Sequence, residues 1–115
     1  MRAFFMFFVV AGLTLACSNS GPRFEVAKQG KHYRFKLYAE GTKLLLESDP
    51  YDKRASAKAG IKALRKAFSR AKCFRYRVVI KAKNGQPLAR SPKYADARTC
   101  EEGLKLAKRV IKEAR

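Results

Sequence analysis

Residues 76–90 read YRVVIKAKNGQPLAR. Tyr76, Val78, Ile80 and Ala82 alternate with Arg77, Val79 and Lys81, the period of two expected of a strand with one buried face. Asn84-Gly85 follows, a strong hairpin signal because both residues tolerate positive φ. Residues 86–90 supply a short return strand, and Pro92 helps break the sheet. Beyond it Cys100, Leu104, Ala107 and Ile111 recur at helical spacing, with Leu106 and Val110 widening the stripe. The stretch therefore predicts strand, turn, strand, helix.

The same order stands 43 residues earlier, where residues 30–72 align without a gap on residues 73–115. Tyr33-Arg34 falls on Tyr76-Arg77, Ser48-x-x-Tyr51 on Ser91-x-x-Tyr94, and Gly60-Ile61-Lys62 on Gly103-Leu104-Lys105. Phe35 and Leu37 meet Val78 and Ile80, so apolar positions stay apolar. A turn at Gly41-Thr42 precedes a second strand over residues 43–47, and Ala57, Ile61, Leu64, Phe68 and Ala71 form the helical stripe. Asp52 and Asp96 are candidate helix N-caps, with Thr99-x-x-Glu102 an alternative capping box. A glycine twice in mid-helix costs about 1 kcal/mol each time, which implies close packing of helix on sheet. Residues 23–28 add a leading strand with Phe24 and Val26 on one face. The second copy is expected to lack such a strand, because residues 71–74 run straight from helix into strand. The expectation is an α+β fold: a tandem repeat of strand–strand–helix units forming one antiparallel-type sheet with two helices packed on one face. Residues 23–72 are the first repeat and 73–115 the second.

These residues resemble the YegP-like family, small tandem-repeat bacterial domains of unknown function. The resemblance rests on Phe24-Glu25, Arg34-Phe35-Lys36-Leu37, Ser48-x-x-Tyr51 and Gly60-Ile61. In the second half it rests on Ala82-Lys83-Asn84-Gly85-Gln86, Leu88-Ala89, Ser91-x-x-Tyr94 and Gly103-Leu104. It implies hairpins of two units joined into one sheet with a helix from each packed on it, and it carries over no catalytic residue.

Ahead of the repeat, Arg2 precedes FFMFFVVAGLTLA, an apolar run from Phe4 to Ala16 of thirteen residues. A bilayer core of ~30 Å needs about 20; the shorter run suits a signal segment, residues 1–16. Leu15-Ala16-Cys17 resembles the end of a bacterial lipobox, although Thr14 stands where that pattern usually has Leu. Lipidation of Cys17, with residues 17–22 as a polar tether, is the preferred reading. Cleavage after Ala16 leaving a free thiol is the alternative. Both export the chain, to the envelope as a lipoprotein or to the periplasm or exterior in soluble form. Cys73 and Cys100 remain, an even pair in an oxidising compartment. The hairpin starts and ends near the helix start, so the two are a candidate disulfide, the alternative being two separate buried thiols.

Charge is the outlying property of the 115-residue chain: 27 Lys and Arg against 9 Asp and Glu, a net +18. Such a field draws polyanions and gives fast, salt-sensitive association. If Phe35, Leu37, Val78 and Ile80 face the helices, then Arg34, Lys36, Tyr38, Arg75, Arg77 and Lys81 share an open basic face, a candidate polyanion platform. The helix faces bearing Lys62, Arg65, Lys66, Lys105, Lys108, Arg109 and Lys112 are a second candidate. His32, the single histidine, sits in solvent register. With the two cysteines it lacks the paired spacing of a zinc site. No nucleophile–base motif or phosphate loop is present, so neither catalytic residues, metal nor cofactor are assigned. Expected partners are a membrane through the lipid, anionic lipid or polysaccharide of the envelope, and nucleic acid in vitro. A secreted module binding protein or nucleic acid is the second reading, and a small hydrolase or transferase the third.

Overall fold

The computed structural model describes residues 21–114. The apolar segment 1–16, Cys17 and most of the tether lie outside the described residues, and with them the expectations of export and lipidation. The elements are β1 (Arg23–Gln29), β2 (His32–Tyr38), β3 (Leu44–Glu47), α1 (Arg54–Ala67), β4 (Lys72–Phe74), β5 (Arg77–Lys81), β6 (Pro87–Arg90) and α2 (Ala97–Glu113). The six strands form one sheet in the order β1-β2-β3-β6-β5-β4. Every neighbouring pair is antiparallel. The two three-stranded halves meet where β3 joins β6, at the register pair Glu47–Arg90.

Strand alternation decides which face is covered. Phe35 and Leu37 of β2, Leu46 of β3 and Val78 and Ile80 of β5 are fully buried. They share one core with Leu64 of α1 and Ala107, Val110 and Ile111 of α2. Both helices therefore cover the same side of the sheet. Phe24 and Val26 of β1 pack at its margin. The helices also touch each other: the Arg65 guanidinium donates to the carbonyls of Ile111 (3.4 Å) and Ala114 (3.2 Å). These are among the last carbonyls of α2, which no intrahelical donor satisfies.

The same local devices occur in both halves. A bulge interrupts β2–β3 pairing between Leu37 and Tyr38, and β5–β6 pairing between Ile80 and Lys81. The buried Ser48 hydroxyl accepts from the Phe35 N–H at 3.0 Å and donates to the Asp49 carbonyl at 2.9 Å. Ser91 does the same with Val78 and Pro92, at 2.8 Å each. Tyr51 closes onto α1 where Gly60 leaves room, and Tyr94 onto α2 at Gly103. A Cβ on either glycine would overlap the tyrosine ring. Burial holds both tyrosine hydroxyls above their ordinary pKa. Asp49 adds to the effect at Tyr51, whereas the Ser91 hydrogen bond opposes it at Tyr94.

Several expectations are corrected. The second half does have a leading strand, the three-residue β4, which turns into β5 through Arg75 and Tyr76 at φ 51° and 67°. Neither residue is a glycine or an asparagine, so the turn carries no sequence signal. Arg75 and Tyr76 thus occupy a turn rather than β5, and Tyr76 is exposed. At Asn84-Gly85 only Gly85 adopts positive φ; the Asn84 side chain instead accepts from the Gln86 N–H. Asp52 does not cap α1: its N-cap is Lys53, without a side-chain bond. Asp96 caps α2, and Thr99 stands third in the helix, returning a bond to the Asp96 N–H. The Thr99 backbone N–H, followed by its hydroxyl, holds the Asp96 carboxyl below the usual carboxylate range.

Candidate polyanion-binding face

The uncovered side of the sheet holds the basic residues. One register row crosses all six strands there: Glu25, Lys36, Glu47, Arg90, Val79, Lys72. Its charges alternate over the first half and cease to alternate over the second. Lys36 lies 3.8 Å from Glu47, and directly opposite cross-strand pairs of this kind offset each other. Arg23 pairs with Glu25 and lays its guanidinium 4.6 Å over the Tyr38 ring. Arg34 is half-buried and donates to the Ser48 carbonyl at 3.0 Å. Of the expected platform, Arg34, Lys36 and Tyr38 are therefore occupied by structural contacts.

The second half differs. Phe74 opposes Arg77 and shares its face, while Cys73 opposes Val78 on the helix side. A groove with a volume of about 640 Å³ runs over β5 and β6, lined by Phe74, Arg75, Arg77, Val79, Lys81, Gly85, Pro87, Arg90 and Lys93. Five of these residues are cations and none is acidic. Arg77 and Arg90 also line an adjoining cavity of about 300 Å³ at the seam of the halves, together with Arg34. Glu47 and Asp49 line that cavity too, and Asp49 lies 3.5 Å from Arg90, so its field is mixed. The groove's field is not. Its outer wall is Phe74, 56% exposed, with the Arg75 guanidinium 5.2 Å from the ring centroid.

The structure thus brings together Arg75, Arg77 and Lys81 of the expected set. It adds Phe74, Arg90 and Lys93, which sequence reading passed over. Arg90 and Lys93 were legible as residues that end the return strand and lead to the corner; Phe74 was hidden by the missing signal for β4. Cys73 and Cys100 place their sulfurs in bonding geometry, with Cα atoms 6.2 Å apart. That tie fastens β4 to the start of α2, directly behind Phe74. On the helices, Arg65 is committed to the end of α2 and to the Phe24 ring at 4.8 Å, and Lys112 lies over Phe68. His32 faces Asp52 at 3.5 Å on the surface. Among the described residues no group of three or more side chains is placed to hold a metal. No helix there is long and apolar enough to cross a membrane.

Fold and face together define a small α+β module: among the described residues, an antiparallel sheet is backed by two helices on one side and open on the other. Residues 28–74 match the family described as a domain of unknown function, DUF1508. The UPF0339 protein PA0329 of Pseudomonas aeruginosa is 33% identical over 96 residues, covering 76% of this chain and 86% of that protein. The chain belongs to this DUF1508/UPF0339 family. The solution structure of yegP, a protein of unknown function from E. coli, matches with a TM-score of 0.67 at 27% identity. The match covers 80% of this chain and 87% of that one. The UPF0339 protein SO3888 from Shewanella oneidensis matches in fold, with a TM-score of 0.67 at 19% identity over 77% and 83% of the two chains. No activity is attached to these relatives by their descriptions.

Proposed function

We propose that this chain is an exported envelope protein, held at a membrane by lipid on Cys17, whose open sheet face binds anionic envelope components. Its two halves are copies of one unit of three strands and a helix, and the second copy carries the binding face. One observation carries this reading: five exposed cations line a groove that contains no acid, on a chain of net charge +18. The reading is of binding rather than catalysis. In support, the paired Ser48 and Ser91 hydroxyls are spent on backbone groups, and the Tyr51 and Tyr94 rings on close approach to α1 and α2.

A lipid chain contributes about 0.8 kcal/mol for each methylene it buries, which would keep the basic face near anionic head groups and surface polymers. Intact mass of the protein taken from host membranes tests the anchor: acyl mass on a chain beginning at Cys17 supports it, and an unmodified chain overturns it. Retention on an anionic matrix, lost as salt rises, tests the face. Reversing Arg77, Lys81 and Arg90 to glutamate should flatten the salt dependence. Retention unchanged by that triple variant would remove the face from the proposal.

A further inference from the structure

Resting on the reading of the open face as an anion-binding surface, we infer that its ligand is a strand of anionic polysaccharide laid along β5 and stacked on Phe74. Three observations point to it. The site is a groove over β5 and β6, a form that accepts a single extended strand. The cations are spaced, not continuous. Arg77 and Lys81 share one face of β5 four residues apart, about 13 Å at 3.3 Å per residue. Between them lies Val79, an apolar floor; Arg90 stands opposite it on β6 with its charge offset by Asp49 at 3.5 Å, and Pro87 stands opposite Lys81. A ligand matching that order carries charge, then an uncharged ring, then charge. A polysaccharide with an acid on every second sugar has this pattern, whereas a nucleic acid strand carries a phosphate at every nucleotide. Finally, one face of the Phe74 ring is engaged by Arg75, and the ring remains 56% exposed at the groove wall. This offers one platform for a sugar's C–H face, not the succession of aromatics on which successive bases stack.

The test compares three probes on the full chain: an oligosaccharide bearing one uronate per disaccharide, a single-stranded oligothymidylate of equal total charge, and phosphatidylglycerol vesicles. Binding is measured at two salt concentrations. The expected result is tightest binding to the oligosaccharide, weakened about tenfold by Arg77→Glu with Lys81→Glu and about fivefold by Phe74→Ala. Phe74→Tyr should restore it, and reversal of Lys62, Lys66 and Lys105 on the helix side should leave it unchanged. Circular dichroism melts confirm folding of each variant; Phe74 and the reversed residues are exposed. Tighter binding to the oligothymidylate or the vesicles overturns the polysaccharide assignment while leaving the basic face standing, provided that the β5 reversal abolishes it. Loss through the helix-side reversal instead would overturn both.

Discussion

Reducing the Cys73–Cys100 bond is expected to lower stability by about 3.5 kcal/mol. The residues are separated by 27 positions, and closing a loop of that size in the unfolded chain removes roughly 12 cal/mol/K in the chain-entropy treatment, or about 3.5 kcal/mol at 25 °C. Local structure makes the full effect plausible to observe. β4 has three residues and one neighbouring strand, so β5, α2 and the bond fix its position. For a domain of this size, about 3.5 kcal/mol corresponds to some 15–25 °C in Tm. It also corresponds to a displacement of roughly 1.5–2.5 M in the urea midpoint. The assay is urea unfolding followed by circular dichroism, on oxidised protein, on protein held in reductant, and on the double variant Cys73→Ala/Cys100→Ala. The reduced protein and the variant should lie within about 1 kcal/mol of each other, the small difference being the lost sulfur packing in the core. Superimposed oxidised and reduced curves would refute the reasoning, because a formed bond across that loop cannot be silent. A drop seen only in the variant would assign the effect to packing instead.

Other consequences follow from the paired corners and the caps. Gly60→Ala should destabilise by about 1–3 kcal/mol in thermal melts and by more than Gly103→Ala. A Cβ at Gly60 meets the fully buried Phe35 ring at 2.9 Å as well as Tyr51, while the three atoms nearest one at Gly103 all belong to Tyr94, which is only partly buried. Equal losses would mean that Phe35 yields as readily as a half-exposed tyrosine. Asp96→Ala should lower the melting temperature measurably and Asp52→Ala should not. Because the Asp96 pKa is depressed in the folded chain, its contribution is present above pH ~4 and lost as pH falls through the lower folded value. The two variants' melts should therefore converge in acid. Tyr51 and Tyr94 are raised, so their stabilisation is complete below pH ~10 and disappears as pH climbs through their folded values. Ultraviolet titration should show Tyr51 and Tyr94 ionising late, and Tyr94→Phe should remove one late step.

Much of the architecture was legible because it depends on periodicity and on residues whose chemistry is local. The alternation at Phe35-Lys36-Leu37, and at Arg77-Val78 and Ile80-Lys81 on either side of Val79, marks which face is buried, and that face is the one the helices cover. Ser48, Ser91, Gly60 and Gly103 are small residues at tight corners, so they recur where the geometry recurs. What escaped notice depends on partners rather than on residue type. β4 exists because β5 and α2 hold it, and its turn through Arg75 and Tyr76 has no glycine to announce it. Lys53 begins α1 without a side-chain bond, so tertiary packing alone sets that boundary. On the open face, sequence position separated solvent side from core side correctly for Arg34 and Lys36. It could not show that Ser48 and Glu47 occupy them, since both contacts come from a neighbouring strand.

The two halves share their covered side and differ on their open side, and this difference locates the site. Positions 43 apart keep Ser48 with Ser91, Tyr51 with Tyr94 and Gly60 with Gly103, all on the corner between sheet and helix. The same offset sets Glu47 against Arg90 and Tyr38 against Lys81 on the open face, and Lys31, in the β1–β2 turn, against Phe74. Each of these changes adds a cation, or exposes an aromatic ring, on the second half. Folding alone does not ask for this: the first half attains the same bulge and the same hairpin with its charges offset. An excess of like charge on one face costs stability through self-repulsion, so the pattern on β5 and β6 runs against the fold's own interest. Exchanging the open-face residues between halves would separate the two demands. Glu47→Arg with Arg90→Glu preserves net charge and the central register pair. It also turns the Lys36–Glu47 and Arg90–Asp49 pairs into like-charge contacts, so stability should fall by about 1–2 kcal/mol, while anion binding falls. Binding that survived this exchange unchanged would mean that overall charge, and not the shape of the second half, attracts the ligand.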